Sequence, residues 1–249
     1  MALTATAVPR IRQDIIESLG LINPLLYVGD FARPNLSFAC QQKKSQAEVF
    51  HPLIEKISKK IENDGIAEST IVYVTTIKEC DDLHVFLSEI VDKRITNLAG
   101  KFEVLKYHAK MTIPERDRMH AAFLTGRADN NMQSPLIVAT TAFGMGIDKP
   151  DVRGVIHWGA PTTLEAYYQQ AGRAGRDGLP STCQLYYNSH DFVTFKSSEF
   201  YRPSTMSAAH RQFLDASVDA LRDYAETTTR CRQQMLVQWF GVKSGECGH

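Results

Sequence analysis

Two patterns of hydrophobic residues alternate along the central part of the chain. Short, almost entirely apolar segments are typical of strands buried on both faces of a parallel sheet, and apolar residues spaced three and four apart predict amphipathic helices. This alternation predicts an α/β fold, a parallel sheet flanked by helices. The predicted strands are 70–75, 104–107, 136–139, 155–157 and 183–187, and the predicted helices are 50–61, 77–91, 114–124 and 163–174.

The two ends of the chain lie outside this alternation. The first 35 residues contain one predicted helix, 9–19, and a linker-like segment. After residue 188 a helical period predicts a long amphipathic helix around Leu221 and a shorter one at 231–240. We therefore divide the chain into a lead-in at 1–35, a core at 36–189 and a helical tail at 190–249.

Composition narrows the possible function classes. The chain has 249 residues, 28 Lys and Arg against 28 Asp and Glu, and 43% hydrophobic residues, which excludes collagen-like and largely disordered chains. Because the net charge is zero, any nucleic-acid surface must be a local cluster of basic residues. No apolar stretch approaches the ~18 residues needed to span a bilayer, and we expect no membrane partner.

Two glycine-containing stretches carry the candidate chemistry. In ATTAFGMGIDKP, residues 139–150, Gly144 and Gly146 follow a predicted strand, where backbone amides can approach a phosphate; such glycines also occur in turns for packing alone. In QQAGRAGRDG, residues 169–178, Arg173 and Arg176 are three apart, so a helical turn would direct both guanidiniums the same way. Paired guanidiniums suit a triphosphate, although a solvated face with surface ion pairs is the alternative.

These stretches closely resemble the fifth and sixth motifs of the RecQ family of superfamily-two DNA helicases. Further blocks follow in the family's order: 2–7 resembles the third motif at the end of a first RecA-like lobe, 31–36 the start of the second lobe, and 231–248 the opening of a zinc-binding module. The resemblance covers essentially the whole chain. It implies a RecA-like fold, with 1–35 as the end of the first lobe and the linker, 36–189 as the second lobe, and 190–249 as the helical, truncated start of the zinc-binding subdomain.

The resemblance also implies roles around ATP. Arg176 is the expected arginine finger on the γ-phosphate, Arg173 lies beside it, and Gln169 helps to join ATP to the DNA side. Asp148 touches the nucleotide ribose or the network between lobes. Together with Gly144 and Gly146, these residues form the expected cofactor site for ATP with Mg²⁺.

DNA contacts are implied at the ends of the strands. Thr140 would hold a DNA phosphate, and Thr75, His108 and Arg116 belong to the same side, although the sequence around Thr75 departs from the family pattern. For Arg116, a solvated helix face is the ordinary alternative. His108 is interpreted as a packed residue at the end of a strand. We expect strand binding that is independent of sequence.

Three expectations concern what lies beyond these motifs. Thr4 and Thr6 would couple hydrolysis to lobe movement. A Walker A loop and an acidic box for Mg²⁺ are missing from the sequence, so the chain should need a first lobe in cis and be inactive alone. Cys231 and Cys247 give an incomplete zinc site, with Zn²⁺ expected in the full-length protein only.

The leading hypothesis is the C-terminal lobe of an ATP-dependent 3′–5′ DNA helicase acting in repair, recombination and replication. Its expected partners are single-stranded DNA, duplex junctions and ATP. Its expected location is the nucleus in a eukaryote, and otherwise the cytoplasm or nucleoid. A non-enzymatic nucleic-acid-binding fragment and an RNA helicase lobe are the alternatives.

Overall fold

The computed structural model describes residues 2, 7–29, 31–96, 100–129, 131–144 and 147–241. The strands are β1 Leu36–Gln42, β2 Ser69–Val74, β3 Val104–Tyr107, β4 Leu136–Ala139, β5 Val152–Trp158 and β6 Ser181–Tyr187. The helices are α1 Pro9–Ser18, α2 Gln46–Asp64, α3 Ile77–Arg94, α4 Ile113–Thr125, α5 Leu164–Ala171, α6 Ser189–Ser197, α7 Ala208–Glu226 and α8 Arg232–Trp239.

The six strands form one sheet in the order β1-β6-β5-β2-β4-β3, and every neighbouring pair is parallel. Parallel pairing confirms the predicted α/β fold. It also brings the carboxyl ends of all strands to one edge, which is where open parallel sheets place their ligands. The loops after β2, β3 and β4 therefore meet at that edge, because these strands are neighbours in the sheet.

Alternate residues of the strands supply a hydrophobic core on each face of the sheet. In β2, Val72 and Val74 belong to the core with α2 and α3, whereas Ile71 and Tyr73 belong to the core with α4 to α8. A strand that is covered on both faces has no solvent-exposed side, so its sequence is an almost continuous apolar run. None of the helices in the described ranges is long and apolar enough to cross a membrane.

Side chains at the starts of the helices fix where α2, α3, α4 and α6 begin. Each has a capping box, in which a polar residue before the helix and an acidic residue in its first turn satisfy each other's backbone amides. In α3, Thr76 accepts a hydrogen bond from the amide of Glu79, and the Glu79 carboxylate accepts one from the amide of Thr76. The loop after β2 is therefore held in a defined shape.

The helical tail packs directly on α5. Glu165 accepts hydrogen bonds from the hydroxyl of Ser217 in α7 (2.5 Å) and from the indole nitrogen of Trp239 in α8 (2.9 Å). Deeper in the core, the hydroxyls of Tyr167 and Tyr224 lie 3.3 Å apart. The tail and the sheet consequently share one hydrophobic core.

Three predictions about the elements are corrected. Strand β1 is missing from the predicted elements; it is an edge strand that pairs only with β6, and only Leu36 in it is fully buried, so its sequence lacks the apolar run of the others. Helix α6 is also missing from them. The predicted helix 163–174 ends at Ala171, because Gly172 begins a series of turns, so Arg173 and Arg176 do not share a helical turn as predicted.

Candidate functional site

Residues 172–178 form an irregular segment after α5, which we call the arginine turn. The amide of Ala174 donates to the carbonyl of Ala171 (3.0 Å), and the amide of Gly175 donates to the carbonyl of Val152 at the start of β5 (2.9 Å). Gly175 has a φ of +56°, and a Cβ there would stand 2.5 Å from Nδ2 of Asn35. Only glycine fits this backbone conformation and this close contact.

Arg176 and Asp148, which the resemblance assigns to the ATP site, are in contact in the structure. Nη1 of Arg176 donates to the carbonyl of Ile147 and to Oδ1 of Asp148, both at 2.8 Å. The Arg176 side chain is 35% exposed and that of Asp148 is 89% exposed. An ion pair this exposed contributes about 1 kcal/mol or less, so an anionic ligand can replace Asp148 at small cost.

Arg173 is more enclosed than Arg176. A Cβ on Gly144 would stand 3.2 Å from Nη2 of Arg173, so the glycine leaves room for the guanidinium. The Tyr73 hydroxyl donates to the carbonyl of Phe143 (2.8 Å). Burial raises the pKa of Tyr73 to about 12, and the nearby positive charge of Arg173 acts in the opposite direction, lowering it. Nε of Arg173 is buried and has no hydrogen-bond partner within the described residues.

Two further residues, Gln169 and Gly146, were predicted for the same site. Gln169 occupies the last turn of α5, four residues before Arg173. Gly146 falls outside the described residues, so its predicted role stays a prediction.

An ion pair between Arg153 of β5 and Asp177 attaches the arginine turn to β5 a second time. The same contact holds the pKa of Asp177 below its usual range.

The predicted DNA-side residues follow three neighbouring strands. Thr75 comes directly after β2, Thr140 after β4 and His108 after β3, so all three are at the carboxyl edge of the sheet. Thr75 is exposed, and its hydroxyl donates to Glu79 (2.5 Å). Thr140 is buried, and its amide donates to the carbonyl of Tyr107 (3.1 Å).

An acidic residue that sequence reasoning missed, Asp81, lies beside the predicted DNA-side residue His108 and beside Lys106. Asp81 of α3 accepts a hydrogen bond from Nζ of Lys106 (2.6 Å), and its Oδ1 lies 3.3 Å from Nε2 of His108. Lys106 is the main cause of the lowered pKa of Asp81. The spacing of 25 residues between Asp81 and Lys106 gives no sequence signal of this contact.

Two predicted DNA-side residues are partly or wholly enclosed. His108 is buried, as expected of a packed residue at the end of a strand, and Arg116 is half-buried on α4.

The remaining predicted residues are only partly described. Thr4, Thr6 and Cys247 lie outside the described residues, and Cys231 precedes α8 as its N-terminal cap residue. Within the part of the chain that the structure describes, no three His, Cys, Asp or Glu residues form a group that could hold a metal ion.

Comparison with known proteins identifies the family of this chain. Residues 40–178 match the family described as helicase conserved C-terminal domain. The chain is 35% identical to the ATP-dependent DNA helicase Q-like 2 of Arabidopsis thaliana, covering 99% of this chain and 31% of the relative. It is also 35% identical to the RecQ-like DNA helicase BLM of Xenopus laevis (97% and 16%) and 33% identical to the ATP-dependent DNA helicase RecQ of Pasteurella multocida (97% and 34%).

A solved structure supports the fold. Dbp5 of S. cerevisiae, bound to RNA and ADP BeF3, aligns with a TM-score of 0.55 at 20% identity, covering 86% of this chain and 54% of that one. At this identity the likeness shows the RecA-like fold alone. The present chain spans between 16% and 34% of the length of the three relatives above. From its family match, its relatives and its fold, the chain belongs to the helicase conserved C-terminal domain family and is a RecQ-type member of it.

Proposed function

We propose that this chain is the C-terminal motor lobe of an ATP-dependent DNA helicase that moves 3′ to 5′ and acts in DNA repair, recombination and replication. The observation that carries the proposal is the arginine turn at the end of α5, where Arg176 is half-exposed and, among the described residues, donates to the exposed Asp148 and to the carbonyl of Ile147. In this proposal the lobe works with a first motor lobe that supplies the Walker A loop and the acidic box, and it is inactive alone.

Arg176 is the proposed arginine finger. Its guanidinium has donors beyond the one used at Asp148, and the pair is exposed enough to exchange for phosphate oxygens. An arginine delivered across a cleft stabilises the charge that develops on a transferring phosphoryl group, a contribution of about 10³-fold or more. We assign Arg176 the catalytic contact, and Asp148 the role of holding the guanidinium in place when no anion is bound.

Arg173 and Gln169 are proposed to support that contact. Arg173 is held between Gly144 and Tyr73, so its position is set by β2 and by the loop after β4. Its buried Nε without a partner in the described residues fits a polar ligand that completes the site. Gln169 lies one turn earlier on α5 and is proposed to link the nucleotide side to the DNA side. Gly144 belongs to the same cofactor site.

ATP with Mg²⁺ is the proposed cofactor, and it would supply the phosphoryl group whose transfer to water drives movement. Two guanidiniums at one edge of the sheet match the charge and the oxygen-rich surface of a polyphosphate. Mg²⁺ requires carboxylates of the proposed first lobe. Zn²⁺, through Cys231 and Cys247, stays a prediction for the full-length protein.

DNA is proposed to run along the carboxyl edge of the sheet. Thr140 and Thr75 would contact phosphates through their hydroxyls, and His108 and Arg116 lie at the same edge. Contacts of this kind carry little base information, so binding should be independent of sequence and weaken with salt. The division at residues 35 and 189, and a nuclear location in a eukaryote, are parts of the same proposal.

Unwinding of tailed duplexes by the full-length protein tests the function. A duplex with a 3′ single-stranded tail should be unwound in the presence of ATP and Mg²⁺, whereas a duplex with a 5′ tail should not. An excess of single-stranded DNA should inhibit more strongly than an equal excess of RNA of the same sequence. Stronger inhibition by RNA would favour the RNA helicase alternative, and strand binding without any ATP hydrolysis would favour the non-enzymatic one.

A further inference from the structure

We propose that Arg33 is a positioning residue that holds the arginine turn in place. Its guanidinium reaches from the segment before β1 to three carbonyls of the turn, about 140 residues later in the chain. Nη2 donates to the carbonyls of Ala174 and Gly175, both at 2.9 Å, and Nη1 donates more weakly to that of Gly172, at 3.4 Å. The inference rests on the proposed function and deepens it.

The carbonyls that Arg33 binds lie on both sides of the functional side chains. Gly172 and Ala174 flank Arg173, and Gly175 directly precedes Arg176. After Ala171 the backbone bonds change to the turn type, from the amide of Arg173 to the carbonyl of Gln170 (3.2 Å) and from the amide of Ala174 to that of Ala171 (3.0 Å), so binding the later carbonyls falls to donors outside α5. The planar, always-charged guanidinium of Arg33 takes over that task, since its several donors can bind successive carbonyls at one time.

The segment that carries Arg33 is itself fixed on both sides. Nδ2 of Asn35 donates to the carbonyls of Gly175 (2.8 Å) and Leu179 (3.0 Å). The ring of Phe31 stacks on Phe240 with centroids 4.6 Å apart. The half-buried side chain of Arg33 therefore joins two backbone segments that are each held in place by other contacts.

Contact with α5 completes this attachment. The hydroxyl of Tyr168 donates to the carbonyl of Phe31 (2.8 Å), and the Tyr168 ring lies 4.8 Å from that of Phe240. If residues 31–35 link two lobes, as we propose, a shift of this linker would move the arginine turn through Arg33. Among the described residues, the guanidinium of Arg33 donates to backbone carbonyls of the turn, so we propose that it acts in the reaction through Arg173 and Arg176.

The test compares Arg33→Ala and Arg33→Lys with Arg232→Ala in the full-length protein. Arg232 is the matched control because it is also half-buried and also donates to two backbone carbonyls, those of Ala225 (3.4 Å) and Thr227 (2.8 Å), but outside the arginine turn. Steady-state ATP hydrolysis with saturating single-stranded DNA gives kcat and KM for ATP. Hydrogen exchange of the amides of 173–178 reports the order of the turn directly.

Arg33→Ala should lower kcat by about 10- to 100-fold, because small displacements of a catalytic group cost factors of this size. KM and DNA affinity should change much less, and Arg33→Lys should recover part of the loss because an ammonium can bind some of the carbonyls. Hydrogen exchange in 173–178 should accelerate in Arg33→Ala and not in Arg232→Ala.

Unchanged exchange in Arg33→Ala, or an equal fall of kcat in Arg33→Ala and Arg232→Ala, would overturn the positioning role. A failure of the proposed function is distinguishable: the wild-type protein would then show no DNA-stimulated hydrolysis, while the exchange experiment would still report whether Arg33 orders the turn.

Discussion

Lowering the pH from 7.5 to 5.5 is expected to destabilise this chain through one buried residue, His157 of β5. The ring is 1% exposed and packs between Tyr73 (centroids 5.5 Å apart) and Tyr167 (4.9 Å). Its Nε2 lies 2.8 Å from Oε1 of Gln170, an acceptor, so the neutral ring carries its proton on Nε2. Nδ1 is buried without a partner among the described residues, and a second proton there would create a buried cation.

The direction and size of the effect follow from the two protonation states. Burial lowers the pKa of His157 from 6.5 to about 4 in the folded chain. The unfolded chain therefore binds one more proton than the folded chain between about pH 6.5 and pH 4, and the free energy of unfolding falls as the pH is lowered. The loss is about 1.4 kcal/mol at pH 5.5 and reaches about 3 kcal/mol below pH 4.

Urea denaturation followed by circular dichroism, at pH 7.5 and at pH 5.5, measures this loss. The matched variant is His157→Gln, whose uncharged amide can still donate to Gln170 but does not titrate. Burial also lowers the pKa of His84, but that contribution is common to both proteins and cancels in the comparison. The wild type should lose about 1.3 kcal/mol more than the variant between the two pH values. Equal losses in both proteins would refute the buried neutral histidine.

Two further substitutions test the arginine turn and the carboxyl edge of the sheet around Lys106 and His108. Gly175→Ala should lower the free energy of unfolding by about 2 kcal/mol, because φ is +56° and the added Cβ would stand 2.5 Å from a side-chain nitrogen; a loss below 0.5 kcal/mol in urea denaturation would contradict the strained turn. Asp81→Asn should tighten single-strand binding several-fold and steepen its salt dependence by about one phosphate contact, because Lys106 and His108 are released from a carboxylate. Unchanged affinity and salt dependence in a titration would show that this edge does not meet DNA.

The sequence pattern was sufficient for β2 to β6, including β3 at one edge of the sheet, and insufficient for β1 at the other. Strands β2 and β4 are buried at every residue, and burial is the property that hydrophobic patterns report. Strand β1 pairs with one neighbour and exposes alternate residues, so its seven residues resemble a loop in composition. Helix α7 was predictable because its buried residues, such as Val218 and Leu221, repeat at helical spacing.

The residues of the candidate site were predicted by motif, but their geometry was not predictable. Arg173 and Arg176 look helical from their spacing, yet Gly172 ends α5 before either of them. The contacts of Arg33 and Asp81 join segments that are far apart in the chain, and only the folded sheet brings them together. Pairing across long sequence separations leaves no periodic signal, which is why these partners are visible only in the structure.

The rate of DNA-stimulated ATP hydrolysis by Arg176→Ala, measured in the full-length protein, tests the central claim most directly. Arg222→Ala is the control, because Arg222 also forms an exposed ion pair, with Glu226, but on α7 away from the arginine turn. We predict that Arg176→Ala lowers kcat by about 10³-fold and leaves single-strand binding intact, whereas Arg222→Ala retains full activity. Activity in Arg176→Ala equal to that of the control would contradict the assignment of Arg176 as the arginine finger.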